Sequence, residues 1–190
     1  MRFMYLLNAL SNELDDPIND AQSKKGELKV VHVLQSMQNL YGGHFLNDIL
    51  LVDDQGAAAQ IDHVYICRMG LFVIETRNYP GYIVGDENAE QWALYSGNQR
   101  AVFMNPYQQN KVHIDCLMQL LGPVPMVNTI IFVGAETERV TCPDVYTCNQ
   151  FRHHLLKCSK EAPVFSDMEV ESYANTLFTS PNVQIRGEKA

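Results

Sequence analysis

Two apolar segments joined by a short turn constrain the fold of this chain most strongly. Residues 61–67 and 71–74 are rich in β-branched and aromatic side chains, and the three residues between them suit a β-hairpin turn. Each segment carries one carboxylate, with Asp62 near the start of the first and Glu75 directly after the second. Buried strands seldom contain an acid unless it is paired or binds a metal. The hairpin therefore predicts both a sheet and a polar site at one of its ends.

The spacing within the hairpin predicts where these acids lie. If Cys67 pairs with Gly70, Asp62 falls directly opposite Glu75 on the same face of the sheet, with Cβ atoms about 5 Å apart. Arg77 follows Glu75 by two residues and projects from that face as well. A bulge at the glycine of the turn would shift the register by one residue and send the two acids to opposite faces. The arrangement therefore depends on a regular turn.

Two interpretations of this acid pair stay open on spacing alone. A pair of carboxylates with open coordination positions suits Mg²⁺ or Mn²⁺, and a nearby cation suits the charge that develops in phosphoryl transfer. In the alternative, Arg77 forms a structural ion pair with Glu75, and Asp62 is solvated at the end of its strand.

Composition sets limits on the class of protein. A chain of 190 residues with 46% hydrophobic and 19% charged residues is typical of one globular domain with a sizeable core. The net charge of −8 argues against a uniformly basic nucleic-acid binder, although a local basic patch or a bound metal can reverse the sign at a site. Five cysteines without CxxC spacing, and the lack of an apolar run long enough to cross a membrane, predict a cytoplasmic protein.

The periodicity of apolar residues predicts a helix, three strands, a shorter hairpin, a second helix, another strand and then helices. We expect these elements at about residues 24–40, 44–52, 61–67, 71–74, 82–84, 91–95, 105–121, 126–133, 149–159 and 166–179, with a short strand at 144–147. The order is typical of a mixed α/β or α+β fold, in which helices cover a central sheet. The tail from residue 181 lacks a pattern, and we expect it to be exposed.

Several separated motifs also occur in the order found in one known family. The runs GELKVVHVL, FLNDILLV, AAQIDHVYICRMGLFVIETRNYPGYIVG and NPYQQNKVH resemble the nuclease-related domain, called NERD, over residues 24–121. The resemblance implies a restriction-endonuclease-like PD-(D/E)xK fold with an αβββαβ core, whose central mixed sheet is flanked by helices. We also expect an N-terminal helix or loop over 1–23, a core over 24–134 and a C-terminal helical extension over 135–190 that packs on the core.

The resemblance assigns roles to individual residues. Glu27 matches the acid of the first helix, Asp62 the aspartate of the QIDH motif, and Glu75 the glutamate of the ExK motif. With Arg77 these acids form the predicted catalytic set. Asp62, Glu75 and the backbone carbonyl of Thr76 are the implied ligands of Mg²⁺ or Mn²⁺.

A second group of residues is predicted to support this site. Gln60 precedes Asp62 by two residues, and Gln109, Asn110 and His113 match the NPxxQNxxH pattern. Gln109 and His113 are one helical turn apart, so both can face the acids. Helix capping and ordinary surface polarity are the alternative explanation of these polar residues.

One residue departs from the family pattern. Where the family usually has ETKNY, this chain has ETRNY. Arginine is not deprotonated in proteins, so Arg77 cannot be a general base, but its guanidinium can hold a phosphate. The resemblance implies a divalent-metal-dependent nuclease that hydrolyses DNA phosphodiester bonds, and a homodimer would suit cleavage of both strands. The alternative is a catalytically weakened nucleic-acid-binding or interaction module.

Overall fold

A computed structural model describes residues 20–52, 56 and 58–187, with two mixed sheets and four helices. The helices are α1 (Asp20–Tyr41), α2 (Pro106–Leu121), α3 (Cys148–Cys158) and α4 (Asp167–Thr179). The strands are β1 (His44–Val52), β2 (Ala58–Cys67), β3 (Gly70–Arg77), β4 (Gly81–Asp86), β5 (Gln91–Ser96), β6 (Gln99–Met104), β7 (Met126–Phe132), β8 (Ala135–Thr141), β9 (Val145–Thr147) and β10 (Val183–Ile185). The predicted mixed fold with a central sheet and flanking helices is confirmed.

The β2–β3 hairpin lies at the centre of a six-stranded sheet with the order β10-β1-β2-β3-β7-β9. Cys67 pairs with Gly70, and the ladder runs without a shift to the pair formed by His63 and Ile74. The predicted register is therefore correct. On the other side, β3 pairs in parallel with β7, so β3 is buried along almost its whole length.

Helices cover both faces of this sheet because β2 and β3 are apolar on both faces. Helices α2 and α4 pack with Ile66 and Val73 on one face. Helices α1 and α3 pack with Tyr65 and Phe72 on the other face. Burial of each such side chain contributes about 1.5–3 kcal/mol, so the faces of the hairpin hold the three layers together. The polar residues of the hairpin are left at its open end.

A second sheet of four strands, in the order β6-β5-β4-β8, lies beside the first. Its inner face buries Trp92 and Phe103 against Tyr79 and Phe132, which connects it to the end of β7. The predicted hairpin over 82–84 and 91–95 is confirmed as β4 and β5. Strands β6 and β8 were not predicted. Strand β8 joins through a parallel pairing with β4, which a local sequence pattern does not reveal.

The C-terminal part differs from the prediction in its strands. Helices α3 and α4 are confirmed, and each begins with a capping box, at Thr147 and Ser166. The described tail residues 181–187 are exposed or half-buried, as expected, but the tail is not without structure, because β10 pairs with β1 and extends the central sheet. The tail supplies backbone hydrogen bonds to an edge that would otherwise be open.

The N-terminal prediction falls mostly outside the described residues. Residues 1–19 are not described, and residues 20–23 belong to α1, which begins four residues before its predicted start. The domain boundaries stay a prediction. None of the four helices in the described part of the chain combines the length and apolar character needed to span a membrane.

Candidate active site

The acids predicted from the hairpin lie where the β2–β3 ladder ends. Beyond the pair of His63 and Ile74, the Asp62 carboxylate accepts a hydrogen bond of 2.8 Å from the backbone N–H of Thr76. A side chain thus takes the place that a main-chain carbonyl would fill in a continued ladder. This bond holds the Asp62 carboxylate beside β3, at the level of Glu75.

Arg77 joins Glu75 to helix α2. One guanidinium nitrogen, Nη1, lies 2.6 Å from Oε1 of Glu75, and Nη2 donates a 2.9 Å hydrogen bond to Oε1 of Gln109. Glu75 is buried and Arg77 is largely buried, so this charge-assisted contact is shielded from water. The structure therefore brings Glu75, Arg77 and Gln109 together, as the sequence predicted.

Helix α2 is placed by its first residues. Asn105 caps the helix by accepting hydrogen bonds from the backbone of Tyr107 and Gln108, and Pro106 suits the first helical position. The Asn105 amide also donates to three carbonyls between residues 86 and 89 of the second sheet, which fixes the start of the helix. One helical turn after Gln109, the His113 side chain places its Nδ1 atom 3.8 Å from Oε2 of Glu75.

Asn110 lies on the same helix but fastens it to the central sheet. Its side-chain amide is fully buried and donates to the carbonyl of Val73 at 2.7 Å and to Oδ1 of Asn128 at 2.8 Å. Asn128 in turn donates to the carbonyl of Tyr107 at 2.8 Å. This network holds α2 against β3 and β7. Asn128 was missed, although an amide inside the apolar run MVNTIIF was a usable signal.

Gly26 lets helix α1 approach the site closely. A Cβ atom at position 26 would lie 2.6 Å from Cβ of Asn78, a distance that real side chains do not adopt. Asn78 also donates to the carbonyl of Gln22 at 2.7 Å, and the Gln22 amide donates back to the Asn78 carbonyl at 3.1 Å. These contacts dock the first turns of α1 on the segment after β3, and Glu27 follows directly.

Asp48 is a fourth acid near the site that the sequence reasoning missed. It lies opposite Asp62 between two paired positions of β1 and β2, with a left-handed φ of 47°. Gln60 donates to Oδ1 of Asp48 at 3.1 Å, and Arg186 contacts the same oxygen at 2.9 Å. The structure thus places Gln60 against Asp48. An acid within the strand run FLNDILLV was the available signal.

The comparisons with known proteins identify the family of this chain. The family model described as the nuclease-related domain matches residues 22–133, more than half of the chain. The chain belongs to the nuclease-related domain family. An uncharacterized protein of Bacillus anthracis is 28% identical over 166 residues, which cover 86% of this chain and 72% of that protein. No solved structure matches the chain.

Burial and mutual repulsion disturb the titration of Asp62 in this nuclease-related domain. Its pKa is raised to about 8, first because the carboxylate is removed from water and then because Glu75 lies nearby. Arg77 and the hydrogen bond from Thr76 oppose this rise in pKa without cancelling it. Asp62 is therefore largely protonated at pH 7 in the absence of a bound cation.

Glu27 and His113 show the same effect of burial. The pKa of Glu27 is raised to about 7, first by burial and then by Asp62 and Asp48, while Lys24 lowers it. The pKa of His113 is lowered to about 4, first by burial and then by Arg77. His113 is therefore a neutral imidazole at pH 7, and its contact with Glu75 is not an ion pair at that pH.

The donor chemistry of these residues fits a hard divalent cation. Within residues 20–52, 56 and 58–187, no three His, Cys, Asp or Glu side chains converge on one point as metal ligands. The predicted set instead has two carboxylates, Asp62 and Glu75, and the carbonyl of Thr76, all oxygen donors of the kind that Mg²⁺ and Mn²⁺ prefer. The buried Thr76 hydroxyl, next in sequence to Glu75, also makes no hydrogen bond to any described residue. A buried polar group of this kind is unusual in a folded protein unless something else binds to it.

The raised pKa of Asp62 predicts a pH dependence of folding that the Asp62→Asn variant should reduce. A carboxyl whose pKa is raised in the folded state stabilises the fold fully below its unfolded value near 3.8, and this contribution is lost as the pH rises through about 8. The free energy of unfolding in EDTA should therefore decline from pH 5 to 8 in the wild type. We expect a smaller decline in Asp62→Asn, measured by urea unfolding.

The control is Asp115→Asn, which removes an exposed acid on α2. This variant should keep the wild-type dependence on pH. Equal slopes in the two variants and the wild type would contradict the assignment of the raised pKa to Asp62.

Proposed function

We propose that this nuclease-related domain hydrolyses DNA phosphodiester bonds with the help of Mg²⁺ or Mn²⁺. The observation that carries the proposal is the convergence of Asp62 and Glu75 at one end of the β2–β3 hairpin, with Arg77 bound to Glu75. An oxygen-rich site with an adjacent guanidinium matches the needs of a reaction that builds negative charge on a phosphate.

Asp62, Glu75 and the Thr76 carbonyl would hold the cation, and Glu27 on α1 would act from outside this ligand set through its charge. When bound, such a cation supplies a more acidic water and neutralises charge on the phosphate. The protein's own contribution is orientation. Arg77 is held by Glu75 and Gln109, so its guanidinium needs little rearrangement to bind a phosphate oxygen.

A second candidate function is favoured by the same ion pair. The 2.6 Å contact between Arg77 and Glu75 neutralises a carboxylate that a metal would otherwise use. A domain in which this pair is permanent would bind nucleic acid without cleaving it. Binding by such a module would not depend on a divalent cation.

The two functions are separated by a cleavage assay with matched metals. Purified protein is incubated with supercoiled DNA and with linear single-stranded DNA in Mg²⁺, in Mn²⁺ or in EDTA, beside the Asp62→Asn variant. We expect cleavage with a divalent cation, none in EDTA, and none from the folded variant. Retained cleavage by Asp62→Asn would indicate a contaminant, and folded wild-type protein that is inactive with both metals would support the binding module.

A further inference from the structure

The outer face of the four-stranded sheet carries a feature that the proposed active site does not use. Tyr82 on β4 pairs with Tyr95 on β5, which pairs with Arg100 on β6, so the three residues form one row across the sheet. On the other side, Glu136 on β8 pairs with Tyr82, and Arg139, which pairs with Val84, places its guanidinium over the Tyr82 ring. We name as the platform face the exposed or half-buried residues Tyr82, Val84, Tyr95, Arg100, Val102 and Arg139.

The two tyrosine rings of the row stack on each other, and one guanidinium contacts each of them. The rings of Tyr82 and Tyr95 are stacked, with centroids 4.9 Å apart and an angle of 7° between their planes. Arg139 places Cζ 4.1 Å from the Tyr82 ring, and Arg100 places Cζ 5.9 Å from the Tyr95 ring. The Arg100 side chain also donates a 3.2 Å hydrogen bond to the Tyr95 hydroxyl. Both guanidinium groups are thereby held in place while staying exposed.

Apolar side chains lie beside this stack. Val84 and Val102 are 39% and 43% exposed, and both pair with Ala93 in the adjacent row of the sheet. The opposite face of the same strands buries Trp92, so the strands are firmly supported from below. Two fixed cations and exposed apolar groups outnumber the one acid paired into the row, Glu136, and this balance differs from the surface expected of a chain with a net charge of −8.

We propose that the platform face binds single-stranded nucleic acid. The two arginines match the charge of a phosphate backbone, and their exposed guanidinium groups and the valines offer surfaces on which unpaired bases can stack. A duplex hides its bases, and a flat sheet face lacks an element that could enter a groove. Because the aromatic contacts restrict both arginines before binding, less side-chain entropy is lost on association. The inference rests on the proposed function in taking the bound strand as the substrate.

The test measures binding without cleavage. Fluorescence anisotropy of a labelled single-stranded oligonucleotide in EDTA compares the wild type with Arg100→Gln/Arg139→Gln. We expect affinity to fall about tenfold or more, as for loss of one stacking contact. The negative slope of log affinity against log salt should also become shallower by about 1.4, because each of two lost phosphate contacts on a single strand contributes about 0.7.

Two further variants make the test specific. Arg68→Gln/Arg152→Gln removes two exposed arginines elsewhere and should change the affinity much less. Tyr82→Leu/Tyr95→Leu keeps bulk on the sheet but removes the support of both guanidinium groups, so it should weaken binding as the arginine variant does. Circular dichroism establishes that each variant is folded.

Equal losses in the platform variant and in Arg68→Gln/Arg152→Gln would overturn the proposal, because net charge would then explain them. Weaker duplex binding with unchanged single-strand binding would overturn it as well. The outcome is independent of catalysis. Binding that depends on Arg100 and Arg139 in a protein that never cleaves would refute the nuclease alone, whereas cleavage with binding indifferent to these arginines would refute the platform alone.

Discussion

The Glu75→Gln variant is expected to cleave DNA at least about a hundredfold more slowly than the wild type while keeping its stability to within about 1 kcal/mol. Catalysis should fall because the substitution removes one of two predicted ligand carboxylates. Stability should change little because Glu75 also disfavours the ionised form of Asp62, whose pKa is raised first by burial and then by Glu75. The amide that replaces the acid keeps a carbonyl oxygen that can accept a hydrogen bond from Arg77.

Single-turnover cleavage rates in Mn²⁺ and urea unfolding curves would measure the two effects on the same preparation. Glu161→Gln is the matched control, because it removes an exposed acid after α3. A large loss of stability in Glu75→Gln would show that Glu75 is mainly a structural partner of Arg77. Unchanged cleavage would remove Glu75 from the mechanism.

Substitution of Arg77, the other member of the ion pair, should mainly reduce the stability of the fold. We expect Arg77→Ala to destabilise the fold by about 3 kcal/mol, because it leaves Glu75 buried without the cation that pairs with it. Arg77 also lowers the pKa of Asp62 and of Glu27, so its removal worsens the repulsion among the acids. Arg77→Lys should cost less, since the ammonium keeps the charge, although it loses the fixed fork that reaches both Glu75 and Gln109.

A double-mutant cycle isolates the reason for this loss. Arg77→Ala in a Glu75→Gln background should destabilise the protein less than Arg77→Ala alone, because one carboxylate no longer needs a cation. Urea unfolding of the four proteins at pH 7 gives the coupling. A change in stability of less than about 0.5 kcal/mol for Arg77→Ala would contradict the structural role of the pair.

The hairpin register was predictable because it follows from a local rule, in which a two-residue turn fixes the pairs that come after it. The prediction held as far as His63 and Ile74. The next positions leave the ladder, since Asp62 bonds to the Thr76 backbone through its side chain. Spacing therefore identified which acids meet, but not how Asp62 is held there.

Contacts between distant segments explain most of what was missed. Asp48, which has a left-handed φ, lies opposite Asp62 on the neighbouring strand β1. Asn128 on β7 supports α2 through its hydrogen bond with Asn110. The second sheet is closed by a parallel pairing between β4 and β8, which are separated by α2 and β7. Such pairings depend on the packed fold, because no periodic pattern in either segment specifies its partner.

The short connection between β3 and β4 limits the distance between the candidate site and the platform face. Only four residues lie between Arg77 in the candidate site and Tyr82 on the platform face, so their Cα atoms are at most about 18 Å apart. Asn78, within this connection, is clamped to α1, which prevents it from lengthening or swinging freely. For a strand held on the platform face, the cut would fall a short and constant number of nucleotides away, set by the backbone rather than by the sequence of the strand.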